Sequence, residues 1–214
     1  MHANRPGRAI VVAAASLVST AAARAQQAVT PADSAALARL VVVPLRNGLT
    51  SVDLTGRPGD QGAVLVARRE NISAHGYSAI AFSVRTRART TGGAHWQLVT
   101  VDPESAGGRW RERQTLTTGE GADCTLYDVR LLRPHAGRGP ATLVTAERDF
   151  GANFADTVAV HFVVYRLRHE GDDQRDYFAR ERTLLAGHRY CDVNAAFARE
   201  LGLSDSAGVV HDVP

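Results

Sequence analysis

The strongest constraint on this chain is a segment that it spells twice. Leu65-Val66-Ala67-Arg68-Arg69-Glu70-Asn71-Ile72-Ser73-Ala74-His75 returns as Leu143-Val144-Thr145-Ala146-Glu147-Arg148-Asp149-Phe150-Gly151-Ala152-Asn153. Each copy opens with an apolar run, crosses a charged cluster, turns through small residues and leads into a second run of β-formers, so each reads as a strand–loop–strand unit. The chain is therefore expected to be mainly β: a single domain of two related β-rich units, residues 50–101 and 123–168, with a short C-terminal helix and one disulfide.

The first residues change how the rest is read. Arg5 and Arg8 precede a run of mostly small apolar residues from Ala9 to Ala22, and Ala23-Arg24-Ala25 has the small-x-small form that signal peptidases cut. Residues 1–25 are read as a signal peptide cleaved after Ala25, which places the mature chain in the periplasm, with 26–34 as a flexible lead. The apolar run falls short of the roughly 20 residues that span a bilayer, so no membrane span is expected after cleavage. Cleavage removes Arg5, Arg8 and Arg24 and no acidic residue, so the formal charge falls from +3 to zero. A neutral mature chain lacks the clustered basic charge of a nucleic-acid footprint. All the Lys+Arg residues are arginine, which excludes lysine nucleophiles and Schiff bases.

Cys124 and Cys191 are the only cysteines. In an oxidising compartment a disulfide is the natural pairing. The alternative, a reactive thiol or metal ligand, finds no CxxC or CxxH partner at either position.

Pro31 followed by Asp33, Ser34 and an Ala/Leu run predicts a short helix over 33–40. Strands are predicted over 52–54, 64–68, 78–86, 96–101, 110–117, 125–132, 142–147 and 157–167. Ile80, Phe82 and Val84 alternate with Ala81, Ser83 and Arg85, and Tyr127, Val129 and Leu131 alternate with Asp128 and Arg130; each pattern implies one buried face. Asp192 caps a predicted helix over 193–201 that stops at Gly202, and a loose tail follows from Ser204. The Asp53-Leu54-Thr55-Gly56 run with Asp60 fits no complete cation motif and is read as a turn.

Five motifs in order resemble the CarG-like carbapenem intrinsic-resistance proteins. They are Arg69-Glu70-Asn71 with Ala74-His75-Gly76; Gly121-Ala122-Asp123-Cys124; Glu147-Arg148-Asp149-Phe150-Gly151; Phe154-Ala155-Asp156; and Tyr190-Cys191-Asp192-Val193-Asn194. The resemblance runs from about Asn47 to Leu203 and implies a periplasmic, non-hydrolytic homodimer that protects its host from a carbapenem. It supplies no chemical mechanism. The partner would be a carbapenem, its target or another cell-wall protein, and no cofactor is implied.

The residues themselves limit the chemistry. Without lysine there is no Ser-x-x-Lys motif, and no Gly-x-Ser-x-Gly elbow occurs. His75, His95, His135, His161, His169, His188 and His211 are scattered singly, so no metal site is expected. Candidate binding residues are Arg69, Glu70, Asn71, His75, Arg148, Asp149, Asp156 and His161. Arginine's planar fork suits a ligand carboxylate, whereas Arg69–Glu70 and Glu147–Arg148–Asp149 equally suit loop-holding ion pairs. His75 is either a polar contact at a binding surface or a brace for its own turn, and His161, between Val160 and Phe162, is expected to be a satisfied core histidine. The copies differ where chemistry would need them alike, with His75 opposite Asn153 and Glu70 opposite Arg148, so the repeat speaks for architecture more than for paired catalytic centres. A metal-assisted or carboxylate-based periplasmic hydrolase built on Glu70, His75, Asp149 and His161, and a purely structural envelope protein, are the alternatives.

Overall fold

The computed structural model describes residues 26–69, 76–86, 95–106, 109–120, 124–135, 137–170, 175–204 and 209–210. Residues 1–25, read above as a signal peptide, lie outside the described residues, as do Glu70, Asn71 and His75.

The described residues form two helices, a large sheet and a separate two-stranded pairing. A short strand β1 (Gln27–Ala28) leads into α1 (Pro31–Ala38), followed by β2 (Leu40–Val43), β3 (Leu45–Arg46), β4 (Gly48–Ser51), β5 (Gln61–Arg69), β6 (Tyr77–Thr86), β7 (His95–Ala106), β8 (Arg109–Arg113) and β9 (Leu116–Thr117). The second half holds β10 (Gly119–Glu120), β11 (Thr125–Pro134), β12 (Thr142–Arg148), β13 (Val160–Glu170), β14 (Arg175–Leu185), α2 (Val193–Leu201) and β15 (Val209–Val210). The main path runs β10-β11-β12-β13-β14-β7-β6-β5-β4. Both repeat copies are antiparallel hairpins, β5 with β6 and β12 with β13. The two halves meet where β14 and β7 run parallel, with Tyr177 beside Thr100 and Phe178 beside Val101.

The sheet curls so that both halves share one core. Val64, Val66, Ile80, Phe82, Val84, Val99 and Val101 from the first half pack with Val129, Leu131, Leu143, Tyr165, Leu167 and Phe178 from the second. Phe82 and Phe178 meet edge-on at 5.2 Å between centroids, an arrangement aromatic pairs favour. A second core fills the other face of β11–β14, where Leu132, Val144, Phe162, Val164 and Leu184 meet Leu37 of α1 and Val193, Phe197 and Leu201 of α2.

That second core explains where β11 departs from its alternating pattern. Asp128 and Arg130 are 6% and 0% exposed, so the strand is buried on both faces. Arg130 tolerates this because Nη1 donates to Asp128 Oδ2 (2.6 Å) and to the Val129 carbonyl (3.0 Å), and Nη2 donates to Asn194 Oδ1 (2.6 Å). Its guanidinium carbon also lies 4.4 Å from the Phe197 ring centroid, a cation–π contact shielded from water.

Strand β14 sits mid-sheet although nothing in its charged sequence, RDYFARERTLL, announces it. Its charges are matched one by one: Arg175 with Glu112 and Glu170, Asp176 with Arg57, Arg180 with Asp102, Glu181 with Arg166 and Arg168, and Arg182 with Asp33. Between these pairs Phe178 and Leu184 are fully buried.

The ends are more ordered than the sequence implies. Gln27 and Ala28, within the expected flexible lead, pair in parallel with Leu184 and Leu185. Helix α1 begins at Pro31, earlier than the predicted 33, because Thr30 caps it in a reciprocal box with Asp33. Val209 and Val210, within the expected tail, pair with Leu45 and Arg46. Helix α2 has the predicted Asp192 cap and a left-handed Gly202 at φ 68°. Residues 52–54 lie between strands: the Val52 amide bonds the Gly62 carbonyl at 2.9 Å and the Leu54 carbonyl accepts from Ala141 at 2.8 Å. Residues 53–60 form the expected turn, with Gly56 at φ 68° packed against Gly139 so closely that a Cβ there would lie 2.4 Å from its nitrogen. Cys124 and Cys191 form the disulfide, joining the approach to β11 to the start of α2.

Candidate functional site

The loop between β12 and β13 carries the second copy's polar cluster. Arg148, 7% exposed at the end of β12, donates from Nε to the Asp149 carbonyl (3.2 Å) and from Nη1 to the carbonyls of Phe154 (2.7 Å) and Cys191 (3.0 Å). A buried guanidinium engaged by backbone oxygens fits a strut between this loop and the disulfide better than a receptor for a ligand carboxylate. Asp156 is drawn inward too: its Oδ2 accepts from the Asn153 amide at 3.0 Å, and a Cβ on Gly151 would lie 2.6 Å from that oxygen. The loop so held presents Phe150 and Phe154, 75% and 43% exposed, in an edge-on pair at 5.4 Å.

Asp149 and His161 do come together. His161 Nε2 lies 2.9 Å from Asp149 Oδ1 and Nδ1 lies 3.1 Å from Gln26 Nε2. With the Gln26 amide nitrogen as donor, Nδ1 accepts and Nε2 carries the proton given to Asp149. His161 is partly exposed rather than a core histidine, because it stands in register with the exposed Glu147 beyond the buried rows of the core. Arg69 ends β5 on an exposed position; its companions in the first copy lie outside the described residues.

Strand register reveals a grouping the sequence hides. Tyr127 faces Glu147, which faces His161; one step inward Val129 faces Thr145 and Val163; a further step inward Leu131 faces Leu143 and Tyr165. Residues directly opposite in antiparallel strands project to the same side, so these rows run from the exposed Glu147 into the core shared by both halves, where Val129, Leu131, Leu143 and Tyr165 are 0–1% exposed. From the opposite wall Arg113 of β8 donates through Nη2 to the Tyr165 hydroxyl (2.7 Å), with its guanidinium carbon 5.9 Å from that ring's centroid. The same Nη2 lies 3.7 Å from Asp102 Oδ2, and Arg180 pairs with that carboxylate as well. Asp102 stands at φ 52°, the one non-glycine residue with positive φ among those described, at an irregularity in the β7–β8 ladder. Residues in this sparsely populated region concentrate where a side chain must be aimed.

The electrostatics follow from burial. Burial pushes the Tyr127 hydroxyl well above its ordinary value, against the opposing pull of Arg113. Tyr165 is raised for the same reason, again with Arg113 opposing. Burial alone would weaken the Arg113 proton, yet the two phenols and Asp102 outweigh it and hold it more firmly than usual. Both phenols therefore stay protonated at neutral pH, and the Tyr165 hydroxyl accepts from Arg113. The Tyr127 hydroxyl is buried; Thr145 biases its titration without completing an aligned hydrogen bond. Sequence reasoning placed Tyr127, Tyr165 and Glu147 on strands without assigning them to a site, and it could not join Arg113 to them, because the contact spans 52 residues.

Among the described residues no group of three His, Cys, Asp or Glu is arranged to hold a metal ion, and no helix is long and apolar enough to cross a membrane. The fold is similar to that of CarG, whose crystal structure matches with a TM-score of 0.57 at 20% sequence identity, over 80% of this chain and 100% of that one. Neither family models nor curated proteins give a match. The likeness shows a shared, CarG-like fold.

Proposed function

We propose that this chain is an exported, non-hydrolytic protein that gives its host intrinsic resistance to a carbapenem by binding rather than by catalysis. The observation that carries this reading is the CarG-like fold, within which the partly exposed Arg113 guanidinium is held by the Tyr165 hydroxyl and Asp102. A guanidinium so held offers recognition of an anion, whereas phenolate nucleophiles are suppressed by the burial that raises them. The periplasm is the compartment that fits the signal sequence and the disulfide. The test is expression in a sensitive host: reduced carbapenem susceptibility supports the reading, and unchanged susceptibility overturns it.

We further propose that it works as a homodimer through the outer face of the first half-sheet. Leu49, Leu65, Trp96 and Leu98 are 71%, 47%, 52% and 42% exposed there, with Leu49 directly opposite Leu65, and Leu65 opposite Ala81. Contiguous exposed apolar surface of this kind marks interaction sites. Sedimentation is expected to give a dimer that Leu65→Glu converts to a monomer; a wild-type monomer contradicts the assignment.

The hydrolase alternative draws on the Asp149–His161 pair, in which a carboxylate orients an imidazole. The Gln26 contact at Nδ1 holds the nitrogen that would serve as the base.

A further inference from the structure

Cleavage after Ala25 would make Gln26 the first residue of the mature chain, and the structure gives that glutamine a partner. The residues behind it are fixed: Gln27 and Ala28 pair in parallel with Leu184 and Leu185, and the Val29 amide donates to the Leu185 carbonyl at 3.0 Å. Leu185 pairs with His161 on its other side, so the sheet carries the start of the mature chain to the imidazole. There Gln26 Nε2 lies 3.1 Å from His161 Nδ1, and His161 Nε2 lies 2.9 Å from Asp149 Oδ1. Strand β1 begins at Gln27, so Gln26 stands outside the ladder and can turn while β1 stays paired. A side-chain amide on an imidazole whose far nitrogen is tied to a carboxylate has the layout of a general base and its orienting group.

We propose that His161, positioned by Asp149, closes Gln26 into a pyroglutamyl ring once the leader is removed. An N-terminal glutamine carries nucleophile and electrophile in one residue: its α-amine, partly uncharged near neutral pH, attacks its own side-chain amide carbon. The bond that forms joins the α-nitrogen to Cδ, the bond that breaks joins Cδ to Nε2, and ammonia leaves. His161 Nδ1 takes the proton that the attacking amine sheds and gives it to Nε2 as that nitrogen departs. One proton passes between the two nitrogens, and no other reactant is consumed. Asp149 keeps the proton on His161 Nε2, which leaves Nδ1 as the base, and offsets the positive charge that the ring carries in between. The reaction uses up its only substrate, so it happens once per chain and is not turnover of an antibiotic. The product ends in a lactam, without the terminal charge and without the free amine that aminopeptidases require. The inference rests on the exported reading above and goes beyond it by giving His161 and Asp149 a chemical task.

Adding signal peptidase to the purified full-length chain sets the start of the reaction, and mass spectrometry of the N-terminal peptide follows the loss of ammonia at neutral pH. Ring closure is expected to run about a hundredfold faster than in the same mature chain unfolded in urea, the low end of what a placed acid–base group supplies. That comparison needs no substitution. His161→Gln is expected to fall back to the unfolded rate, with its fold confirmed by its Tm. Asp149→Asn is expected to slow closure without lowering Tm, and Asp149→Glu to recover part of the rate, a rescue that a merely structural role would not give. A chain that begins at Gln26 and closes no faster folded than unfolded, or equally fast in His161→Gln, overturns the proposal and leaves the exported reading standing. A chain that signal peptidase cuts at another bond overturns the proposal together with the expected cleavage after Ala25.

Discussion

Replacing Arg148 by methionine separates a strut from a receptor. The side chain is almost fully buried and serves three carbonyls, those of Asp149, Phe154 and Cys191. Each charge-assisted bond is worth about 1.5–3 kcal/mol in isolation. The full sum is not lost, because the Asp149 and Phe154 carbonyls belong to exposed loop residues that can turn to water once released. The Cys191 carbonyl is held beside the disulfide and the start of α2, where that escape is restricted. Methionine also keeps most of the arginine's apolar volume, so little cavity is added. The expected loss is about 3 kcal/mol, which for a chain of this size lowers Tm by about 6–12 °C. Arg148→Lys should fall between, since an ammonium cannot reproduce a planar fork. Urea denaturation and limited proteolysis of the 149–157 loop read both effects. A variant with unchanged stability and an intact loop that no longer binds carbapenem would show that Arg148 is a ligand residue and not a strut.

Three further outcomes follow from the same structure. Replacing both Cys124 and Cys191 by serine opens a loop with a sequence separation of 67, and calorimetry should show a loss of about 4 kcal/mol on the chain-entropy model; no change in Tm would show that the cross-link constrains little. Acid should destabilise the helical layer. Burial alone would raise the Asp33 and Glu200 carboxyls, but hydrogen bonds from Thr30 and Arg182 to the first, and from Tyr190, His188 and the Gly187 amide to the second, hold both below their ordinary 3.8 and 4.5. Their folded values are depressed, so the stabilisation is present above the ordinary values and disappears as pH falls through the folded ones; an Asp33→Asn, Glu200→Gln variant that keeps the full acid sensitivity would contradict this. Arg57→Ala removes the two bonds of 3.0 and 2.7 Å that Asp176, 2% exposed, receives from Arg57; with Arg57 itself partly solvated, the expected cost is about 2 kcal/mol, measured by urea denaturation.

What the sequence conveyed was whatever is local. The buried row of Ile80, Phe82 and Val84, the Asp192-capped helix and the paired strands of each copy follow from spacing alone, and all are present among the described residues. Strand β14 was hidden because its partners, Glu112, Asp102, Arg57 and Asp33, lie 63 to 149 residues away, and without them its charges look solvent-bound. Arg130 was hidden for the same reason: a polar face reads as exposed until Asn194 and Phe197 arrive to cover it. The site divided likewise. Asp149 and His161 were singled out and do meet, 12 residues apart. Arg148 was singled out for its chemistry, yet the backbone oxygens that occupy it come from a loop geometry that residue types do not encode. Arg113 was passed over because nothing near it in sequence marks it, and only the curl of the sheet brings it to Tyr165.

We propose that protection comes from binding without turnover. It is tested most directly by incubating the purified protein with a molar excess of carbapenem, following the β-lactam ultraviolet band, and measuring bound antibiotic by equilibrium dialysis at the end. Binding without turnover leaves the band unchanged and intact antibiotic retained in proportion to the protein; continuous loss of the band beyond one equivalent per chain would contradict it and make the Asp149–His161 pair the place to look for a hydrolase.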